Sequence, residues 1–128
     1  MKNILITGGC GFIGSNFIHH LINNDESYYI VNLDKLTYAG NISNLSKIPD
    51  SSYLLVEGDI CDAILVDSLF DKYQFEFVVH FAAESHVDRS IDGPSSFIQT
   101  NIMGTFNLLE HARVHFSKTK NKDFRFLH

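Results

Sequence analysis

Residues 4–14 read Ile-Leu-Ile-Thr-Gly-Gly-Cys-Gly-Phe-Ile-Gly, and this stretch decides the fold. Its apolar and β-branched start, residues 4–7, is typical of a short strand buried on both faces of a parallel sheet. Four of the chain's eight glycines follow at once, and apolar residues at helical spacing begin at Phe12. A strand, a glycine-rich turn and a helix therefore succeed one another, as in the first unit of a parallel α/β sheet.

The rest of the chain continues the alternation of strands and helices. We predict further strands at residues 28–33, 53–57, 75–81 and 124–127, and helices at residues 12–23, after an N-cap at Asp62, and from Pro94 to about Phe116. This alternation indicates a parallel sheet with helices on both faces. Right-handed crossovers favour the strand order 3-2-1-4-5, a Rossmann-like doubly wound fold of class α/β.

Composition restricts the function classes. The 128 residues carry a formal net charge of −5, which argues against a nucleic-acid partner. Apolar runs fall short of the roughly 18 residues of a membrane span, so we expect no membrane partner. The amino terminus has one charge and leads directly into the glycines, and the two cysteines fit a reducing compartment. These features predict a cytoplasmic protein.

The glycines have distinct expected roles in binding a dinucleotide. Gly8 permits the tight turn, Gly11 lets the backbone approach a pyrophosphate, and Gly14 lets the helix pack close to the strand. The helix amino terminus then offers N–H groups to the phosphates. Asp34, which is 20 residues after Gly14, can accept hydrogen bonds from an adenosine ribose and would repel a 2′-phosphate. The sequence therefore predicts an NAD site, and the alternative is a glycine-rich turn that binds nothing.

Several motifs carry a resemblance to a known family. The glycine pattern Thr-Gly-Gly-x-Gly-Phe-Ile-Gly, the pair Asp59-Ile60, and residues 81–83 and 101–105 resemble the extended short-chain dehydrogenase/reductase family, which acts largely on nucleotide sugars. Residues 32–41 and 80–90 are longer strings and resemble the 4,6-dehydratases of that family. The resemblance covers essentially the whole chain. It departs at Cys10, where alanine is usual, and at residues 92–94, which replace a more acidic stretch.

The resemblance implies NAD as cofactor, a nucleotide sugar, dTDP-glucose, as substrate, no metal, and a homodimer at full length. It also implies which residues contact NAD, with Ser85 touching the sugar as well. Besides the glycines these are Phe12, Ile13, Asp34, Lys35, Leu36, Thr37, Asp59, Ile60, Phe81, Ala82, Ala83, Glu84, Ser85 and Thr100.

The family's catalytic groups are a Tyr-x-x-x-Lys pair and a Thr-Asp-Glu string after the fifth strand. None of the five tyrosines has a lysine four residues later, and the string does not occur in the 128 residues. We therefore expect catalytic residues beyond His128, an NAD-binding domain over residues 1–128 that is truncated at its fifth strand, a missing C-terminal substrate domain, and an inactive chain. The alternatives are a nucleotide-sugar 4-epimerase or decarboxylase of the same family, and a non-catalytic NAD-binding module.

Other residues suggest chemistry that we interpret more simply. Ser85, His86 and Asp88 are sequential neighbours, whereas hydrolase triads assemble from separate segments. His111 and His115 lie four residues apart on a predicted helix, and we interpret them as solvated rather than as metal ligands. Cys10 is either a thiol activated by the helix amino terminus or a small filler. The long connection of residues 34–52, with a short helical turn around Leu45, is predicted to be functional.

Overall fold

The computed structural model describes residues 1–25, 27–38 and 40–128, so Ala39 of the string 32–41 lies outside the described residues. Five parallel strands form one sheet in the order β3-β2-β1-β4-β5, which confirms the predicted order. Their bounds are β1 Lys2–Thr7, β2 Tyr28–Asp34, β3 Tyr53–Glu57, β4 Phe77–His80 and β5 Arg125–Leu127.

The helices lie between these strands. Their bounds are α1 Phe12–Asn24, α2 Ala63–Tyr73, α3 Val87–Asp92, α4 Pro94–Phe97 and α5 Thr105–Thr119, with a 3₁₀ turn at Ile42–Leu45. Asp62 caps α2 as predicted, because its side chain accepts a hydrogen bond from the Leu65 amide at 3.0 Å. Within the described residues, none of the helices is both long and apolar enough to cross a membrane.

Two apolar clusters hold helices against the two faces of the sheet. On one face α2 and α5 pack over Leu5, Val31 and Val78. On the other face Ile18 of α1 packs with Ile6 and neighbouring strand residues. Alternate residues of β1 and β2 therefore point to opposite clusters, which is why both strands carry apolar runs.

The helix predicted from Pro94 to about Phe116 is confirmed in its extent, but its predicted apolar face is wrong. The chain is helical without a break from Pro94 to Thr119, and the segment Ile98–Gly104 between α4 and α5 is π-helical. Hydrogen bonds from residue i to i+5 widen such a turn and shift the helix face that follows. The residues of the predicted apolar face are exposed (Ile102 at 60% and Phe106 at 57%), and Leu108 and Ala112 are buried in their place.

Candidate functional site

A cleft of about 450 Å³ opens at the carboxyl ends of β1, β2, β3 and β4, where the strand order changes direction between β1 and β4. Clefts at this position are the usual ligand sites of doubly wound sheets. It is lined by Gly8, Gly11, Phe12, Ile13, Gly14, Leu33, Asp34, Lys35, Thr37, Gly40, Gly58, Asp59, Ile60, Phe81, Ala82, Ala83, Glu84, Ser85 and Thr100.

The glycine-rich turn, residues 8–11, forms the floor of the cleft. Gly8 has a φ of 69°, a left-handed conformation that favours glycine, and a Cβ there would lie 2.6 Å from the Ala82 amide nitrogen. A Cβ on Gly14 would press on the backbone of the turn, at 2.8 Å from the Gly9 Cα. A Cβ on Gly11 would contact only the Gly8 carbonyl oxygen, at 3.4 Å, so this backbone is open on the cleft side.

Asp34 fastens the glycine-rich turn to the end of β2. One carboxylate oxygen accepts a hydrogen bond from the Cys10 amide at 2.9 Å, and the other accepts one from the Leu36 amide at 2.8 Å. The side chain is buried, yet it lines the cleft. Because a carboxylate oxygen has two lone pairs, each oxygen can still accept a further bond from a ligand.

The buried side chain of Asn32 holds the same turn by hydrogen bonds. Its side-chain oxygen accepts from the Gly9 amide at 2.9 Å, and its amide group donates to the Tyr53 hydroxyl at 2.9 Å and to the Cys10 sulfur at 3.4 Å. Burial, together with the nearby Asp34 carboxylate, raises the pKa of the Cys10 thiol to about 11. Cys10 therefore acts as a buried small residue, and the activated thiol is excluded.

The rim beside β3 carries an ion pair. Lys35 Nζ lies 3.2 Å from an Asp59 oxygen, and the other Asp59 oxygen accepts from the Cys61 amide at 2.9 Å. Burial raises the pKa of Asp59, but these bonds outweigh it and leave that pKa below its usual value. Asn107 of α5 donates to the Ile60 carbonyl oxygen at 2.7 Å and thereby fixes this rim from behind.

The wall after β4, residues 81–85, is fixed by the π-helical segment. Asn101 accepts from the Glu84 amide at 2.8 Å and donates to the Glu84 carbonyl oxygen at 2.9 Å. The preceding residue, Thr100, lines the cleft. The π-helical turn thus places two polar side chains where they support or line the site, as such turns often do.

Tyr38 connects the loop after β2 with the segment after β4. Its hydroxyl oxygen accepts from the Ser85 amide at 3.3 Å and from the His86 amide at 3.1 Å, and the Arg89 guanidinium lies 4.1 Å from its ring centroid. Ser85 and His86 are thus held through their backbone by a residue of another loop. This arrangement offers nothing in favour of a hydrolase triad.

Of the residues predicted to contact NAD, all but Leu36 line this cleft. Leu36 has a φ of 57°, and its side chain packs against the apolar cluster of α1 instead. Leu33, Gly40 and Gly58 line the cleft without having been predicted. The sequence analysis also missed the role of Asn32 in holding the glycine-rich turn. An asparagine within the apolar run of residues 28–33 signals such a role, because a buried amide needs hydrogen-bond partners.

The histidines of α5 are not arranged as a metal pair. His115 is buried and its Nε2 lies 2.8 Å from the Phe75 carbonyl oxygen, so its interpretation as solvated is wrong. His111 Nδ1 lies 2.8 Å from the Asn107 carbonyl oxygen. Among residues 1–25, 27–38 and 40–128, no three or more His, Cys, Asp or Glu side chains are grouped to hold a metal ion.

Comparison with known proteins gives one family and many relatives. The family model described as GDP-mannose 4,6 dehydratase matches residues 5–128. A dTDP-glucose 4,6-dehydratase of Shigella flexneri is 53% identical over 98% of this chain and 36% of the relative. The chain therefore spans about a third of the length of this relative.

Solved structures agree with this similarity. The dTDP-glucose 4,6-dehydratase of Streptomyces venezuelae, with NAD and TYD bound, has a TM-score of 0.82 and 44% identity over 89% of this chain and 36% of that one. The UDP-glucose 4-epimerase of Thermotoga maritima, with UDP-glucose, has a TM-score of 0.79 and 34% identity over 89% of this chain and 35% of that one.

Proposed function

Because the chain belongs to the GDP-mannose 4,6 dehydratase family, we propose that its cleft binds NAD and that residues 1–128 are the cofactor-binding part of a dTDP-glucose 4,6-dehydratase. The observation that carries the proposal is the joint placement of the glycine-rich turn, the amino terminus of α1 and Asp34 around one cleft. The Streptomyces venezuelae structure with NAD bound supports the choice of cofactor.

The described residues fit a dinucleotide. The pyrophosphate would lie over Gly11, where the backbone is open and the first N–H groups of α1 have no partner within the helix. Asp34 would accept hydrogen bonds from the adenosine ribose, and Asp59 and Ile60 would border the adenine. Residues 81–85 and Thr100 would border the nicotinamide half of the cofactor.

When bound, NAD would supply the hydride chemistry of the proposed reaction: oxidation at sugar C4 and reduction at C6, with loss of water across C5 and C6 in between. The chain's own residues bind and orient. Ser85 would place the sugar beside the cofactor, because it lines the cleft and its amide is held by Tyr38. The reaction also requires a base for the proton of the C4 hydroxyl, a base for the C5 proton and an acid for the hydroxyl that leaves C6. The family's Tyr-x-x-x-Lys pair and Thr-Asp-Glu string, which would supply these groups, do not occur in the 128 residues, so we expect no turnover from this chain alone.

Isothermal titration of the chain with NAD and with NADP tests the proposed cofactor. We expect NAD to bind and NADP to bind at least about tenfold more weakly, because the carboxylate of Asp34 would face the 2′-phosphate. Gly11→Val should abolish NAD binding without unfolding the chain, since the added side chain enters the cleft. Gly93→Val is the matched control, because its Cβ lies in ordinary contact outside the cleft.

Failure of the unsubstituted chain to bind NAD would contradict the proposal. Equal NAD affinity in the unsubstituted chain and Gly11→Val would contradict the placement of the pyrophosphate. Circular dichroism spectra of both proteins establish that each is folded, so that a loss of binding is not caused by unfolding.

A nucleotide-sugar 4-epimerase is the second candidate, favoured by the similarity to the Thermotoga maritima epimerase. The two reactions share the cofactor cleft and differ in the product, because only dehydration removes a water molecule. Mass spectrometry of the nucleotide sugar after incubation with the catalytically complete enzyme separates them. A third candidate, a non-catalytic NAD-binding module, requires NAD binding without turnover of either sugar by that enzyme.

We further propose a cytoplasmic location and a homodimeric full-length enzyme. The location is supported by the cysteine content, since two cysteines fit a reducing compartment. The exposed apolar side chains of the π-helical segment and α5, among them Ile102 and Phe106, would provide apolar area for association. Sedimentation of the full-length enzyme would test the dimer.

A further inference from the structure

His80, at the carboxyl end of β4, is a buried imidazole that the proposed function leaves without a role. Its side chain is 5% exposed. Its Nδ1 lies 2.6 Å from the Thr7 hydroxyl oxygen, and its Nε2 lies 2.8 Å from the Thr105 hydroxyl oxygen. The ring is therefore bonded at both nitrogens, to β1 on one side and to α5 on the other.

Through its bond to Thr7, His80 is connected with the wall after β4. Thr7 precedes Gly8 directly, and its hydroxyl oxygen also accepts from the Ala82 amide at 3.2 Å. Ala82 lies so close to the glycine-rich turn that a Cβ on Gly8 would be 2.6 Å from its nitrogen. The Thr7 hydroxyl thus helps to fix the distance between the turn and the wall.

Through its bond to Thr105, His80 is connected with the π-helical segment, which borders the cleft. Thr105 begins α5, immediately after the π-helical segment that carries Thr100 and Asn101. Thr100 lines the cleft, and Asn101 holds the backbone of Glu84. His80 therefore joins the elements that carry the turn, the wall and the π-helical segment.

The hydrogen-bond pattern suits a neutral imidazole. Thr7 accepts from Ala82, so its own proton can go to His80 Nδ1, and His80 Nε2–H can then donate to Thr105. From β5 and the residue after it, the rings of Phe126 and His128 face the imidazole at 6.4 and 5.1 Å. Burial, aided by His128, lowers the pKa of His80 to about 4.

We propose that His80 is a positioning residue for the cofactor, which acts through the Thr7 hydroxyl to hold the glycine-rich turn and the wall at the spacing that the dinucleotide requires. The inference rests on the proposed binding of NAD in this cleft. It assigns the larger share of the effect to the bond at Nδ1, because that bond leads directly to Ala82.

Two amide variants separate the two bonds of the ring. The asparagine amide lies at the level of Nδ1 and can replace the bond to Thr7, whereas the glutamine amide extends to the level of Nε2 and can replace the bond to Thr105. Both lose the contacts with Phe126 and His128. We expect His80→Asn to bind NAD within about twofold of the unsubstituted chain and His80→Gln about tenfold more weakly, from loss of one bond.

Titration calorimetry and thermal unfolding of each variant provide the measurement. His115→Gln is the matched control, because it changes another buried histidine, bonded to Phe75 away from the cleft, and should leave NAD affinity unchanged. A merely structural role would lower the melting temperatures of both His80 variants while their NAD affinities stayed equal.

Equal NAD affinities of His80→Asn and His80→Gln would overturn the inference. If either variant fails to fold, Thr7→Ser and Thr7→Val make the same comparison: we expect serine to bind NAD as the unsubstituted chain does and valine about tenfold more weakly, and equality would again overturn it. If the unsubstituted chain binds no NAD, the proposed function fails first. If the unsubstituted chain binds NAD but the two variants of each pair have equal NAD affinities, only the role of His80 is refuted and the proposed function stands.

Discussion

The Asp34 carboxylate has a structural role in the turn, and we propose that it also binds the cofactor. Its oxygens accept from the amides of Cys10 and Leu36 while its side chain lines the cleft. A ligand-binding role could be predicted from its spacing to the glycines, but the structural role could not. Any substitution at this position therefore changes the turn as well as the cleft.

We predict that Asp34→Asn weakens NAD binding at least about tenfold and reduces the preference for NAD over NADP. An asparagine amide can accept from one of the two backbone amides only, and its NH₂ group would oppose the other, leaving a donor unpaired at a cost of about 1–3 kcal/mol. Titration calorimetry and urea unfolding measure the two effects. Asp71→Asn, on the exposed surface of α2, is the control.

The buried His80 makes stability depend on pH. Its pKa is about 4 in the folded chain against 6.5 for the ordinary group, so the unfolded chain binds the proton first as the pH falls. This contribution is fully present above pH 6.5 and is lost as the pH falls from 6.5 to 4, by up to about 3 kcal/mol.

We predict that the unfolding free energies of the unsubstituted chain and His80→Asn, measured in urea, differ less at pH 4 than at pH 7. The unsubstituted chain loses stability by protonation of the imidazole, and the amide of the variant does not titrate. A difference that stays constant between these pH values would show that the native imidazole is not held neutral.

At the scale of the elements, the side chain of Tyr38 connects the loop after β2 with the segment after β4. The Tyr38 hydroxyl accepts from two backbone amides of that segment, and Arg89 lies over its ring. Both connected segments carry residues that line the cleft, Thr37 and Ser85 among them. The contact therefore restrains two sides of the cleft at once.

We predict that Tyr38→Phe accelerates NAD dissociation several-fold, because it removes the acceptor of two hydrogen bonds and keeps the ring under Arg89. Stopped-flow displacement of NAD by excess ligand measures the rate. Tyr29→Phe is the matched control, since Tyr29 stacks on Tyr73 outside the cleft. An unchanged dissociation rate in Tyr38→Phe would remove the restraining role of this contact.

At the scale of the whole molecule, the cleft draws residues from five separate segments of the chain between Gly8 and Thr100. A ligand that contacts these segments together can bind only the folded chain, and such binding stabilises the folded state by mass action. A second groove, beside α1, is lined mainly by apolar side chains, Phe17, Phe77 and Leu127 among them.

We predict that NAD at about one hundred times its dissociation constant raises the melting temperature by roughly 10 °C, from about 2.7 kcal/mol of added stability. NADP at the same concentration should produce a much smaller shift. Differential scanning calorimetry makes the comparison, and equal shifts with the two nucleotides would refute the discrimination assigned to Asp34.

Local signals in the sequence predicted much of this fold and of its candidate site. The strand and helix alternation, the strand order, the cap at Asp62 and nearly all the residues that line the cleft follow from periodicity, motif spacing and family resemblance. These features depend on residues that are near one another in the chain or on rules that apply to every parallel sheet.

The sequence by itself therefore determined that a parallel sheet carries a dinucleotide-type cleft at its carboxyl edge. Only the tertiary structure decided which side chains support that cleft from within. Thr7 and His80 are 73 residues apart, and Asn101 meets Glu84 through a π-helical turn that the pattern did not reveal. Leu36 turned to the core for the same reason: contacts between distant segments select among conformations that local preference leaves open.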